Sequence, residues 1–435
     1  MDTVRVDFTS VGGAPQAATP TLSELMKESV VFDRAYSVSN ETLFSHGSMF
    51  TSRAPSQVAP VDYDWTIPDG RPTLASRLRD AGFETGAVVA GGHLARIFGL
   101  DDGFTSYTEA GQWGSFQESI PMALRWVDRA VTAGKPFFLF VHGYDAHAPY
   151  LKPAIFARMS TPGQSTMLGI HLLDPLFYEH VYLNTIYPEF PMLAPENVRG
   201  TKVLEIASYD RLIAYARTPG VPSATLSAAE RAFIRGNYQS AVLYADLWVG
   251  VLLHELRTRG LLDTTTVAVM SDHGDGLLDH GFYNHRTTTR DTSTRVPLVI
   301  RPAGGAQSVH VSTPVSLLDL TPTLLEMAGV APAPGMTGKS LVPCFGGSCT
   351  DRRLPYSEGA IGEVSVTDGT HRLVITGARA EDADLNEKIR TGRGVTIELF
   401  AGDEGEMLDH AGAPEMQRVI ERLRTALLGS REDAG

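Results

Sequence analysis

Cysteine is scarce here: the 435 residues hold two, Cys344 and Cys349, in Cys-Phe-Gly-Gly-Ser-Cys. Two thiols allow at most one disulfide. They read either as unpaired loop thiols or as a small local bridge, and the flexible Gly-Gly between them favours the bridge. Positive charge is also short. Lys and Arg total 37 against 50 Asp and Glu, a formal net charge of -13, which argues against a basic nucleic-acid footprint. The acidic balance does not exclude an anionic substrate, because a local cationic group or a metal can still hold one. No run is long and apolar enough to span a membrane. No signal peptide, internal repeat or low-complexity tract is visible.

What remains is an ordinary globular composition, 43% hydrophobic and 20% charged, enough for a large core and a smaller second unit. Strand-like apolar runs alternate with helix-like segments. That pattern predicts an α/β fold with a central, mainly parallel sheet flanked by helices. Helices are expected over 73–81, 122–131 and 228–259, the last stopping at Gly260. A fourth is expected over 316–327, kinked or interrupted by Pro322. Buried strands are expected around Val88, over 137–141, over 265–270 and over 295–300, with Pro297 suiting a strand start or edge. Residues 151–222 lack a clean period and read as an insertion over the sheet that would cover a substrate cleft. The domains are then 1–342, a catalytic α/β unit carrying that insertion, and 343–435, a small α+β subdomain with strands near 372–375 and 396–400 and a last helix over 414–428.

Ligands of open α/β sheets bind beyond the C-terminal strand ends. Two of the expected strands end there in Asp and His clusters. One runs into Ser271-Asp272-His273-Gly274-Asp275, with His280 and His285 soon after. The other runs into His142-Gly143-Tyr144-Asp145-Ala146-His147. Carboxylate and imidazole together suit a divalent ion, and two clusters at equivalent sheet edges favour a site over polar loop ends. Asn40-Glu41-Thr42-Leu43-Phe44-Ser45-His46 has the look of a helix N-terminus, where an anion or a deprotonated Thr42 hydroxyl would be stabilised.

In this order the motifs resemble the sulfatase family of the alkaline phosphatase superfamily. Met1-Asp2-Thr3-Val4-Arg5-Val6-Asp7 is similar to the family's opening metal segment, and Thr42 to Thr51 to its nucleophile segment. Asp145-Ala146-His147-Ala148-Pro149-Tyr150 is similar to "Asp-Pro-His-x-Pro-Tyr". Ser271-Asp272-His273-Gly274 matches the second metal segment, and Arg295-Val296-Pro297-Leu298 the strand after it. The resemblance implies an ester hydrolase with one divalent ion (zinc, manganese or calcium) held by Asp2, Thr42, Asp272 and His273. Thr42 would be the nucleophile, and His147 and His285 would contact the transferred anion or leaving oxygen. His280 is a plausible second contact. His46 stands where the family has an arginine, and it reads as support for the site. Asp145 could serve a second metal, but its short spacing to His147 favours one. Asp7, His93 and His310 read as local or surface residues, Asp246 and Asp319 as structural, and His142 as a packing residue as readily as a ligand.

The departures shape the expected chemistry. Sulfatases carry a Cys or Ser converted to formylglycine where this chain has Thr42, and threonine cannot release sulfate by collapse of an aldehyde hydrate. Superfamily members with Thr there pass a phospho group through it, so a phosphate ester is expected ahead of a sulfate ester. The lysine of the family's "Gly-Lys-x-His" is missing in Gly91-Gly92-His93-Leu94. The family also has an apolar strand ahead of the Asp2 position. A late-assigned or trimmed start is expected on that ground, with an exported or periplasmic location in that case and a cytoplasmic one otherwise. A genuine lack of the strand would leave Asp2 on a fraying terminus. The expected substrate is a small-molecule, glycan or lipid anionic ester. The alternatives are a phospho-group transferase acting on an envelope glycan or lipid, and an impaired member that only binds an anion.

Overall fold

The computed structural model describes residues 1–58, 66–67, 70–111, 113–148, 150, 228–277, 279–281, 285–350 and 352–432, apart from positions 361, 378, 380, 381, 403 and 404. The expected insertion over 151–222 lies outside the described residues.

Local sequence explains where the helices start. Helix Leu74–Asp80 opens on a capping box in which Thr73 and Ser76 satisfy each other's backbone N–H groups. Helix Phe116–Thr132 begins six residues before the expected start at 122. Pro121 sits inside the helix, and a Ser115/Glu118 capping box sets its beginning. Pro322 does not interrupt its segment either. It is the third residue of helix Leu320–Met327, where a missing N–H leaves no helical bond unmade, and the Leu318 carbonyl accepts from Ser52 Oγ at 2.8 Å instead. Helix Ala228–Thr258 ends just before Gly260, which takes the left-handed conformation at φ 69°.

The architecture is α/β with a mainly parallel sheet and flanking helices. Strands Ser106–Glu109, Glu84–Val89 and Phe137–Val141 pair in parallel in that order. A second sheet runs Val267–Met270, Leu298–Arg301, Val30–Phe32, Val309–Val311. Among the described residues, four of the seven strand pairings outside the C-terminal sheet are parallel. The expected strand over 295–300 is split. Pro297 has no N–H for a ladder, so Arg295–Val296 joins a small third sheet while Leu298–Arg301 joins the second. Phe137–Val141 and the start of Val267–Met270 are half-buried rather than fully buried. Each pairs along one edge with a described strand.

The C-terminal part is an antiparallel meander, Tyr356–Gly359, Glu363–Thr367, His371–Thr376, Thr396–Ala401. Helices Leu385–Thr391 and Gln417–Glu432 cover one face and share its core with Leu373, Ile375 and Leu399. Two of these strands had sequence signals; the other two are short, polar-flanked pieces. Cys344 and Cys349 are disulfide-bonded, as the favoured reading had it.

Buried Arg372 ties the meander to the segment leading into the second sheet. Its guanidinium donates to Glu406 Oε1 (2.9 Å), Thr289 O (2.9 Å) and Asp291 Oδ1 (2.5 Å). Removing it strands the buried Glu406 carboxylate, so Arg372→Met is expected to lower unfolding free energy by about 3–5 kcal/mol in urea titrations. Adding Glu406→Gln to that variant is expected to restore part of the loss.

Candidate active site and metal centre

The first residues of the chain are held, not frayed. The Met1 ammonium donates to Met270 O at 2.9 Å, and Thr3 N, Val4 N and Arg5 N donate to Asp272 Oδ1, Ser271 Oγ and Tyr238 OH. Thr3 takes a positive φ of 55°, a costly conformation for a β-branched residue, and is fixed there by Asp272 and by its own hydroxyl on Asp2 O. Asp2, fully buried, is thereby placed beside the C-terminal ends of both Val267–Met270 and Phe137–Val141.

Thr42 is the first residue of helix Thr42–Thr51. The cap is Glu41, whose carboxylate accepts from Phe44 N at 3.2 Å, so the Thr42 hydroxyl is left for other partners. Its Oγ1 lies 3.3 Å from Asp2 Oδ2 and 3.2 Å from His273 Nε2, and His273 Nε2 lies 3.5 Å from Asp272 Oδ2. Asp2, Asp272 and His273 offer ligand atoms all within 4.8 Å of one another. Four ligands at metal distances of about 2.0–2.1 Å in a tetrahedron stand about 3.3 Å apart, which these spacings match. Asp2 Oδ1 and Asp272 Oδ2 are buried with no hydrogen-bond donor. Burial pushes the Asp2 carboxyl well above its usual range, and the adjacent Asp272 charge pushes it further. Two buried carboxylates side by side, with orphaned oxygens and an imidazole, are a donor set that fits a divalent ion.

Next to this group, His147 Nε2 and His285 Nε2 are 3.1 Å apart. Their Nδ1 atoms face the carbonyls of Ala148 (2.6 Å) and Asn40 (3.2 Å). Both Nδ1 atoms then donate, which leaves two lone-pair nitrogens facing each other. One added proton turns that contact into a hydrogen bond. The His285 ring also lies 4.6 Å from the His273 ring, centroid to centroid. Trp113 and Tyr144 pack against His147, and His93 packs against Trp113.

The expected residues are not all together. Thr42, Asp2, Asp272, His273, His147 and His285 converge. His46 packs behind them, its Nδ1 donating to Thr42 O at 2.8 Å. His280, at φ 55°, has Arg5, Asp279, Arg290 and Asp291 as its charged neighbours and belongs to a different group. Asp145 Oδ2 accepts from Phe116 N at 2.9 Å and so caps that helix, while Asp246 accepts from Thr21 N and Leu22 N. Glu41 carried no role in the sequence reading, His93 read as a local or surface residue, and His142 was left open between packing and ligation. His142 Nε2 reaches Asp2 Oδ2 at 3.2 Å. Glu41 is fully buried beside Thr42, and its Oε1 meets His93 Nδ1 at 2.5 Å. A carboxylate directly before the candidate nucleophile was the available signal for Glu41.

A family model described as "Sulfatase" matches residues 1–330. The chain belongs to the sulfatase family. It is 26% identical over 356 residues to a choline-sulfatase of Rhizobium meliloti (strain 1021), covering 77% of this chain and 68% of that protein. It is 34% identical over 130 residues to arylsulfatase K of Danio rerio, covering 30% of this chain and 25% of that one. The match to arylsulfatase K of Xenopus laevis covers 41% of the relative, so the chain spans less than half the length of the arylsulfatase K relatives it matches. In fold it resembles a protein solved with its substrate D-glucosamine-2-N,6-O-disulfate (TM-score 0.75, 18% identity, 100% of this chain and 96% of that one). It also resembles a phosphonate monoester hydrolase from Silicibacter pomeroyi (TM-score 0.70, 18% identity, 100% and 94%). No helix of the chain's described residues is long and apolar enough to cross a membrane.

Proposed function

We propose that the chain hydrolyses a monoester of a tetrahedral oxyanion with Thr42 as the attacking group. The single observation that carries this is the Thr42 hydroxyl at a helix N-terminus, 3.3 Å from Asp2 and 3.2 Å from His273. A divalent ion held by Asp2, Asp272, His273 and Thr42 would lower the hydroxyl pKa and offset the paired carboxylates. The residues do the rest. Thr42 Oγ1, freed of its proton to solvent, attacks the central atom in line, with the positive end of helix Thr42–Thr51 at its back. Burial keeps His147 and His285 neutral in the empty site, and a proton taken up between them as the anionic ester binds passes to the departing ester oxygen as the bond to it breaks. Water then attacks the same central atom, frees the oxyanion, restores the hydroxyl and returns a proton to the histidine pair.

The names of the relatives support a sulfate ester of a small alcohol or sugar. That moves the reading away from the phosphate first expected. A phosphonate or phosphate monoester is the second reading, supported by Thr42, which lacks the hydrate hydroxyl of formylglycine. Transfer to an alcohol acceptor shares every residue and differs in needing that acceptor. The test is a matched set of aryl sulfate, phosphate and phosphonate monoesters and a phosphodiester, with zinc, manganese or calcium restored in turn. Sulfate ester turnover well above the others supports the first reading, phosphonate or phosphate turnover the second. No hydrolysis of any ester with any ion overturns both.

His147→Ala is expected to slow esters of poor leaving groups about 10²–10⁴-fold and to spare nitrophenyl esters, which depart without a proton. Equal slowing across a leaving-group series would contradict the proton-donor role.

A further inference from the structure

Behind Thr42 lies a second convergence of ligand atoms. His46 is one helical turn after Thr42, His142 follows strand Phe137–Val141, and Asp272 follows strand Val267–Met270. The three side chains are 1% exposed or less. A ring nitrogen from each histidine and a carboxylate oxygen of Asp272 lie within 4.8 Å of one another. We propose that His46, His142 and Asp272 form a second cation site, sharing the Asp272 carboxylate with the first.

The hydrogen bonds of the three residues support a cation there. Asp272 Oδ1 is satisfied, accepting from Thr3 N at 3.1 Å and His273 N at 2.8 Å. Asp272 Oδ2 has no donor, and His46 Nδ1 stands off at 3.6 Å, too far for a hydrogen bond. Each ring follows the pattern of a metal-bound imidazole, one nitrogen donating to an oxygen and the other keeping its lone pair. His46 Nδ1 donates to Thr42 O at 2.8 Å, and His46 Nε2 has no partner. His142 Nε2 faces Asp2 Oδ2 at 3.2 Å, and His142 Nδ1 has no partner. His46 Nε2, His142 Nδ1 and Asp272 Oδ2 are each buried without a hydrogen-bond partner, which is hard to reconcile with residues placed only for hydrogen bonds. Phe140 packs on both rings and Tyr144 on His142, which fixes the imidazoles. Two imidazoles and a carboxylate select zinc, manganese or a similar divalent ion.

Sharing Asp272 links this site to the first, but the two have separate tests. His273 serves only the first ion, and His46 and His142 only the second. The full chain, stripped with EDTA and reloaded with Mn2+, is expected to hold two ions per chain. His46→Ala and His142→Ala are each expected to hold one, and His273→Ala one. Electron paramagnetic resonance of the doubly loaded protein should show spin coupling through the shared carboxylate, replaced by an isolated-ion spectrum in the histidine variants. One ion per chain that His273→Ala removes and His46→Ala leaves would overturn the second site and keep the first, with water filling the gap. One ion removed by both His46→Ala and His142→Ala but kept in His273→Ala would keep the second site and overturn the first. Loss of both ions from His142→Ala with none lost from His46→Ala would make His142 a support for Asp2 and overturn the proposal. A chain that takes up no ion overturns both sites.

Discussion

Thr42→Ala is expected to lower kcat/KM at least about 10⁴-fold, the scale seen when an attacking group is removed and only binding and charge stabilisation remain. The same change should cost the fold little. Among the described residues the Thr42 side chain bonds only to Asp2 and His273, and its helix is capped by Glu41, so the unfolding free energy should shift by about 1 kcal/mol or less. Thr42→Ser keeps an oxygen in the same place and is expected to retain measurable turnover. Steady-state rates and urea titrations on the three proteins separate the cases. An alanine variant within about tenfold of the parent would remove Thr42 from the reaction.

Metal removal should have the second largest effect, and on two readouts. Chelation is expected to bring turnover to background. It should also lower stability by an amount set by ligand occupancy, about 4 kcal/mol when free ion stands at 1,000 times its Kd. The loss should depend on pH in a definite direction. Without the ion, folded Asp2 has a raised pKa, so burial in the protonated form costs little at low pH. As pH rises through that raised value, the stripped protein must either ionise Asp2 beside Asp272 or unfold, and it loses stability. The loaded protein avoids this. The gap in melting temperature between loaded and stripped protein should therefore widen from pH 5 to pH 8. A gap that is constant or narrows would mean that Asp2 and Asp272 do not face each other across an ion.

Much of the site was readable because its residues sit at predictable places on a simple scaffold. Asp272 and His273 directly follow an apolar strand, and Thr42 opens a helix, so position alone marks them. His142 has the same strand-end address as Asp272. It was left open because a lone histidine there packs as often as it ligates, and only the fold shows that Asp2 comes to meet it. Glu41 and His93 are 52 residues apart, and nothing periodic links them before the chain folds. His280 was drawn towards the site by its closeness in sequence to His273, while in the fold its charged neighbours are Arg290, Asp279, Arg5 and Asp291. In the scaffold Pro322 was expected to kink or interrupt its helix, but it lies early enough in it to be tolerated, while Pro297 divides one apolar run between two sheets. Asp2 was the ligand in greatest doubt, and it is instead tied down by backbone bonds to the end of strand Val267–Met270.

Covalent attack by Thr42 is the central step, and trapping the adduct tests it most directly. The metal-loaded chain is mixed with its best ester, quenched in acid within the first turnovers and mapped by peptide mass spectrometry. The expected result is one sulfo or phospho group on Thr42, formed at the rate of the burst and absent from Thr42→Ala. Steady turnover with Thr42 unmodified at every time point, and a rate that survives in Thr42→Ala, would contradict it.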